Sequence, residues 1–466
     1  MRVEAKGIPM ATGEAAADAR QATAALELSG FSGPDQPQDA ILQRCIRCGF
    51  CLPTCPTYVK TYREASSPRG RIHLIQAVAS GDLSLTDPTF ISQMYECLDC
   101  RACEAVCPSG VAYGQLVETA RTQIERARPR PFWQVAARAL IFDGLFAESR
   151  RFRQMGGLLR LYQRSGARTL AQRSGALDLL RLRDVEALPP EMPDAFFTPD
   201  DRIYLPLVGN AMRGRVALFA GCVMGTVFAP TDRATIRVLN ANGYEVVVPS
   251  EQQCCGAITT HSGEMERARM LAMRNIQAFK HSGADYIMIN AAGCGSALKE
   301  YGRLLGDDVA WAARAEAFAS RVRDVAELLG ELLARGELNT RFEPLPLRVT
   351  YQDACHLAHA QRISSQPRAL LQAIPGVELI EMEEPALCCG SAGVYNLTHP
   401  QMAAQLGQRK VAHILATQAQ VVVTANPGCQ LQLRAQLRQA SSPMAVLHLV
   451  DLLDAAYRGR LPVLGT

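Results

Sequence analysis

From residue 216 to the C-terminus, short apolar runs alternate with longer stretches in which apolar residues recur at helical spacing. The runs are VALFAGC (216–222), YEVVVP (244–249) and ADYIMIN (284–290), then LRVTYQDAC (347–355), VELIEM (377–382) and AQVVVTAN (419–426). Their β-branched content predicts strands, and the segments 263–282 and 400–418 between them predict helices. Strand–helix–strand–helix–strand, written twice, predicts two parallel sheets flanked by helices. In such sheets ligand sites gather beyond the carboxyl ends of the strands.

The N-terminal part carries a different pattern. In SSPRGRIHLIQAVASGDL (66–83), Ile72, Leu74, Ile75 and Val78 fall near helical spacing. Pro68 suits the first helical position, with Ser66 or Ser67 as the cap before it. VAYGQLVETARTQIERA (111–127) reads as another helix. Residues 126–183, beginning RARPRPFWQVAARALIFDGLFAESRRFRQ, are arginine-rich with interleaved apolar side chains. Such a basic amphipathic stretch suits an anionic membrane surface, a docking partner, or a linker helix packed on its neighbours.

Composition narrows the class. The chain has 466 residues, 48% hydrophobic and 20% charged, with a net charge of only +4. That describes a globular chain with a sizeable core and argues against a nucleic-acid partner. No apolar signal-like region opens the sequence, and no run of 18 apolar residues occurs. The expectation is a cytoplasmic protein without signal peptide or transmembrane helix.

Sixteen cysteines change the picture, because every one belongs to one of four groups. Cys45, Cys48, Cys51 and Cys55-Pro56 read C-x2-C-x2-C-x3-C-P, and Cys97, Cys100, Cys103 and Cys107-Pro108 repeat that spacing. Three cysteines at steps of three let their thiolates converge on one cube, and the proline is expected to stop the turn from continuing as helix. Zinc sites favour separated pairs, so two runs of four, each closed by proline, point to iron–sulfur ligation. In two-cluster proteins of this type the fourth cysteine ligates the other cluster. The predicted sites are therefore Cys45, Cys48, Cys51 and Cys107 for one [4Fe–4S] cluster, and Cys97, Cys100, Cys103 and Cys55 for the second. Arg69 and Arg71 read either as cations offsetting cluster charge or as solvated surface groups.

The last eight cysteines form an internal repeat. Cys222, Cys254, Cys255 and Cys294 stand as C-x31-C-C-x38-C, and Cys355, Cys388, Cys389 and Cys429 as C-x32-C-C-x39-C. Each cysteine follows a predicted strand, so the four of a copy can meet at one sheet edge. Three readings stand: a further iron–sulfur or metal site in each copy or shared between them, a thiol–disulfide site, or buried structural cysteines. His356 and His359 open the second copy and read as metal or proton groups, or as ordinary hydrogen-bonded histidines. No G-x-G-x-x-G, P-loop or serine elbow is present, so neither flavin nor nicotinamide is expected on this chain. That pattern predicts a subunit rather than a stand-alone enzyme.

The expected fold is multidomain α + α/β: an N-terminal α-helical ferredoxin with two [4Fe–4S] clusters, then a duplicated parallel α/β cysteine-rich domain. The expected divisions are an extension (1–38), a two-cluster domain (39–125), a basic helical linker (126–212), a first repeat (213–340) and a second (341–466).

The segments CIRCGFCLPTCPTY, SSPRGRIHLI, CLDCRACEAVCPSGV, QQCCGA, AAGCGSALKEYG, CHLAHAQ, LCCGSAGVYNLTHP and VTANPGCQ resemble the iron–sulfur subunits of bacterial glycolate oxidase, within the larger CCG-domain group. The resemblance runs from about residue 40 to the C-terminus. It implies an electron-transfer subunit with no catalytic residue of its own, in an acceptor-linked, non-NAD glycolate dehydrogenase. A separate FAD-containing subunit would oxidise glycolate to glyoxylate. Electrons would pass through this chain to a quinone or other membrane acceptor at the inner face of the cytoplasmic membrane. The alternatives are an iron–sulfur subunit of a lactate or glycerol-3-phosphate dehydrogenase, or a CCG protein that itself reduces a disulfide or quinone. One departure matters. Some CCG domains end each copy in C-x-x-C, whereas here Ala297 and Gln432 stand three residues after Cys294 and Cys429. That argues against a site needing five thiolates per copy.

Overall fold

The computed structural model of the chain describes residues 30–174, 191–206 and 212–460. Most of the expected N-terminal extension, up to residue 29, lies outside them, as do parts of the expected linker.

The N-terminal module is built from α1 (Pro56–Thr61), α2 (Pro68–Ala79), α3 (Pro88–Glu96) and α4 (Tyr113–Ala127). Proline opens three of these helices, where its missing N–H costs nothing and its fixed φ is already helical. Pro56 therefore starts a helix, a correction to the expectation that it only ends the cysteine turn. Ser67 caps α2 by accepting a hydrogen bond from the Gly70 N–H at 3.0 Å. Ile72, Ile75, Val78, Phe90, Met94, Leu116 and Val117 form the core that holds the helices together. Arg71 is buried inside it, donating to the Gln93 carbonyl at 2.7 Å and to Thr57 Oγ1 at 3.1 Å. The surface reading of Arg71 is thereby overturned. Arg69 lies nearer the surface, paired with Glu64 at 2.7 Å.

The basic segment forms α5 (Phe132–Ala139), a wider turn over 140–146, and α6 (Ser149–Arg164). Buried Gly156 lets α6 approach the first repeat closely, since a β-carbon there would stand 2.5 Å from Thr226 Cγ2.

Both repeats form sheets with the same order over the four strands they have in common. The first contains β1 (Ile203–Tyr204), β2 (Gly214–Leu218), β3 (Tyr244–Val247), β4 (Tyr286–Ile289) and β5 (Val322–Asp324), in order β1-β3-β2-β4-β5. The second contains β6 (Leu347–Tyr351), β7 (Val377–Leu379), β8 (Val421–Thr424) and β9 (Ala445–His448), in order β7-β6-β8-β9. Every pairing is parallel except the short edge strand β1 against β3. The fourth strand of each copy, β5 or β9, was not predicted. β5 has three residues with Arg323 at its centre, and β9 runs directly into a helix whose apolar period hides it.

The helices that recur in both copies are α7 (Ala229–Ala241), α8 (Met265–Phe279), α9 (Ala292–Lys299) and α10 (Val325–Ala334) in the first. Their counterparts are α11 (Ser365–Gln372), α12 (Pro400–Ala416), α13 (Pro427–Gln439) and α14 (Leu449–Arg458). The copies pack reciprocally, α7 on α14 and α10 on α11. Arg237 clamps Asp454 with bonds of 2.7 and 2.6 Å across the first contact. One continuous core, including Leu218, Val246, Val349 and Val421, spans both sheets. That arrangement turns the carboxyl ends of the two sheets toward one another.

Candidate functional site

Cys45, Cys48, Cys51 and Cys107 line one cavity. Cys55, Cys97, Cys100 and Cys103 line a second, and all four are buried. The fourth cysteine of each run thus lies with the first three of the other. Local backbone geometry explains the convergence. Arg47 and Gly49 flank Cys48 with φ of 57° and 90°, and Asp99 and Arg101 flank Cys100 with φ of 50° and 60°. Each left-handed pair bends its run so that the three thiols turn inward. Three of these four positions carry side chains, so the conformation is costly and is held by its surroundings. Burial pushes the Cys51 thiol up to about 11 and also raises Cys100 and Cys103 well above the usual thiol range. A bound metal would have to displace those protons, which couples its binding to deprotonation.

All eight cysteines of the repeats line a single cavity between the two sheets. Cys222 follows β2, Cys254 and Cys255 follow β3, and Cys294 stands on the first turn of α9. Cys355, Cys388, Cys389 and Cys429 take the equivalent places after β6, β7 and β8. Gly256 and Gly390, each next to a cysteine pair, adopt φ of 85° and 90°, and a β-carbon on Gly390 would meet the Ala403 carbonyl at 2.6 Å. Only glycine fits that turn. The Cys222 and Cys254 sulfurs lie 3.7 Å apart. Hydrogen bonds from neighbouring thiols draw Cys254 and Cys389 well below the usual thiol range, while Cys222, Cys255, Cys388 and Cys429 are raised. All sixteen cysteines are free thiols.

The cavities adjoin. Cys103 stands on the walls of the first two. Leu98 lines both the second and the third, and Cys100 packs with Cys355 and Cys388 in one apolar cluster.

A buried charged junction surrounds this contact. Arg101 bonds Glu118 at 2.9 Å and also meets Glu300, while Arg303 reaches Glu118 at 2.9 Å and Glu300 at 2.7 Å. His261 Nδ1 lies 2.9 Å from Asp99 Oδ2 and 3.5 Å from Glu118 Oε1. Those two carboxylates hold His261 up at about 9 against the opposing effect of burial. Asp99, Glu118 and His261 could in geometry surround a cation. Arg101 and Arg303 already supply that positive charge, so the cluster is an ion network. His356 Nε2 lies 2.8 Å from the Asp99 carbonyl oxygen, and burial pushes its pKa down to about 4. His359 Nε2 lies 3.0 Å from the Ala386 carbonyl oxygen. Both predicted histidines are thus hydrogen-bonded packing groups. Sequence reasoning missed His261, Asp99 and Glu118. The one available signal was a pair of charged residues, Asp99 and Arg101, inside a cysteine run.

A helical module with two four-cysteine cavities, joined to paired α/β repeats sharing an eight-cysteine cavity, defines a cysteine-rich iron–sulfur protein. Family models agree: a 4Fe-4S dicluster domain matches residues 41–111, and the CCG cysteine-rich domain matches 216–299 and 349–434. The linker region of the glycolate oxidase iron-sulfur subunit matches 133–188. The "Probable glycolate oxidase iron-sulfur subunit" of Bacillus subtilis is 43% identical over 417 residues, covering 88% of this chain and 93% of that one. The glycolate oxidase iron-sulfur subunit of Escherichia coli is 32% identical, covering 90% and 95%. Lactate utilization protein A of an Exiguobacterium species is 29% identical over 51% of this chain and 96% of its own. The chain belongs to the glycolate oxidase iron–sulfur subunit family.

Proposed function

We propose that this chain is the electron-transfer subunit of a glycolate dehydrogenase, receiving electrons from a separate FAD-containing subunit that oxidises glycolate to glyoxylate. The acceptor is a quinone-type carrier at the inner face of the cytoplasmic membrane. The observation that carries this reading is the continuity of the three cysteine-lined cavities through Cys103, Leu98 and Cys100.

The donor sets fit iron–sulfur clusters. Cys45, Cys48, Cys51 and Cys107 would hold one [4Fe–4S] cluster, and Cys55, Cys97, Cys100 and Cys103 a second. The eight repeat cysteines would hold a further iron–sulfur site shared by the two copies. When bound, such clusters supply one-electron transfer, with potentials tuned by charge, hydrogen bonds and burial. The protein's part is to keep the second and third sites dry and close together. Arg71 and Arg101 bring buried positive charge beside the Cys97–Cys103 run. Arg121 fixes the start of that run by donating from Nε and Nη2 to the Met94 carbonyl at 3.0 and 2.8 Å and from Nη2 to the Cys97 carbonyl.

The test is to purify the chain anaerobically and assay glycolate oxidation with an artificial acceptor. The expected result is iron–sulfur absorbance with no turnover alone, and turnover once the FAD-containing subunit is added. Turnover by the isolated chain would contradict the proposal.

A further inference from the structure

Helix α5 is built inside out. On a helical wheel Phe132, Trp133, Ala136 and Leu140 fall within an arc of about 100°. Phe132 is 84% exposed, Trp133 59% and Leu140 72%. The opposite side carries Arg138, turned inward to pair with Glu125 and Glu264. No residue of this helix is buried. An ordinary surface helix would present these faces the other way round. The anomaly extends along the segment: nine of the twenty large apolar residues exposed among the described residues lie between Phe132 and Leu170. Clustering of this kind marks an interaction surface.

Charge identifies what it meets. Residues 126–174 contain eleven arginines and only two acidic residues, Asp143 and Glu148. Both acids are taken up by arginines of α8, Asp143 by Arg267 at 2.7 Å and Glu148 by Arg274 at 3.4 Å. Arg128, just before α5, and Arg150 and Arg151, which open α6 after the turn, are exposed. The result is a surface with aromatic and aliphatic side chains outward, cations at its margin and its own negative charge neutralised. Interfacial helices combine these same features, with tryptophan and phenylalanine entering the headgroup layer and arginines meeting anionic lipid.

We propose that α5 and the turn following it form a monotopic docking surface for an anionic lipid bilayer, seated through Phe132, Trp133 and Leu140. The inference rests on the proposed function only for the bilayer-side acceptor. It assigns the side of the molecule that faces the membrane.

The test uses the full anaerobically purified chain and vesicles, either purely zwitterionic or with about one-third anionic lipid. Trp133 and Trp311 are the two tryptophans of the chain, so Trp311→Phe leaves Trp133 as sole fluorescent reporter. The expected result is co-sedimentation with anionic vesicles and a blue shift of Trp133 emission. Binding should weaken about tenfold or more in zwitterionic vesicles, in the Phe132→Ser/Leu140→Ser variant, and in Arg150→Glu/Arg151→Glu. These side chains are exposed, and unchanged iron content and circular dichroism check that each variant is folded. Absence of vesicle binding by the wild type would overturn the docking surface, as would binding indifferent to both variants. So would loss of FAD-subunit binding, rather than vesicle binding, in Phe132→Ser/Leu140→Ser, which assigns the face to protein. None of these failures alters turnover in detergent-free solution with an artificial acceptor, which tests the functional reading separately.

Discussion

His356 Nε2 lies 2.8 Å from the carbonyl oxygen of Asp99, and this hydrogen bond joins the chain neighbour of Cys100 to the chain neighbour of Cys355. The contact crosses from the helical module to the second repeat and is sealed by Leu98, Cys388 and Tyr395. It bridges the wall of the second cavity, which Asp99 lines, and that of the shared one, which His356 lines.

Removing that bond should loosen the junction. His356→Phe fills the space but leaves the buried Asp99 carbonyl without its partner, a loss of about 1–3 kcal/mol. Thermal unfolding of the anaerobic holoprotein should show a lower midpoint, with the clusters still present. An unchanged midpoint would mean that the module is held by its other contacts alone.

The crossed cavities make the fourth cysteines diagnostic. Cys107→Ser should abolish the cluster of the Cys45–Cys51 run and spare the other, and Cys55→Ser should do the reverse. Each should remove about four irons, read by metal analysis and electron paramagnetic resonance. Loss of the Cys45–Cys51 signal in Cys55→Ser would show that each run keeps its own fourth ligand.

His261 gives the junction a pH dependence. Its folded pKa is raised from 6.5 to about 9, so the stability it contributes is fully present below about 6.5 and is lost as pH rises through about 9. His261→Gln should lower the unfolding midpoint near neutral pH, at a cost of roughly 2 kcal/mol. The difference from wild type should close above about pH 9. Parallel pH profiles for the two proteins would contradict this assignment.

Breaking the ion network outright should cost more. Glu118 is buried and pairs with both Arg101 and Arg303, so Glu118→Ala removes one of the two carboxylates they share and leaves Glu300 to balance both guanidinium groups, at a cost of about 3 kcal/mol. Reduced soluble yield and a lowered unfolding midpoint are the expected readouts, while Glu118→Gln should recover part of the loss.

Much of this architecture was legible because it is written in local spacing. The three-residue steps of Cys45, Cys48 and Cys51 follow from what one turn can converge, and the cap at Ser67 with Pro68 is a one-turn decision. The duplication was equally visible, since strand and cysteine recur together. What escaped depends on distant parts meeting. β5 is a strand because β4 lies beside it, while Arg323 disguises it in sequence. His261 becomes charged only because Asp99 and Glu118, far away in the chain, are folded against it. The sequence left open whether Cys222–Cys294 and Cys355–Cys429 form one cavity or two; the single cavity follows from α7 packing on α14 and α10 on α11, which no single repeat specifies.

The repeat cysteines are proposed to hold a third iron–sulfur site beside the two of the module. Iron and acid-labile sulfide should be counted in anaerobically purified wild type and in Cys255→Ser and Cys389→Ser. The wild type should carry clearly more than the roughly eight irons of two [4Fe–4S] clusters, falling toward eight in either variant. A wild-type count of about eight that neither substitution changes would contradict it.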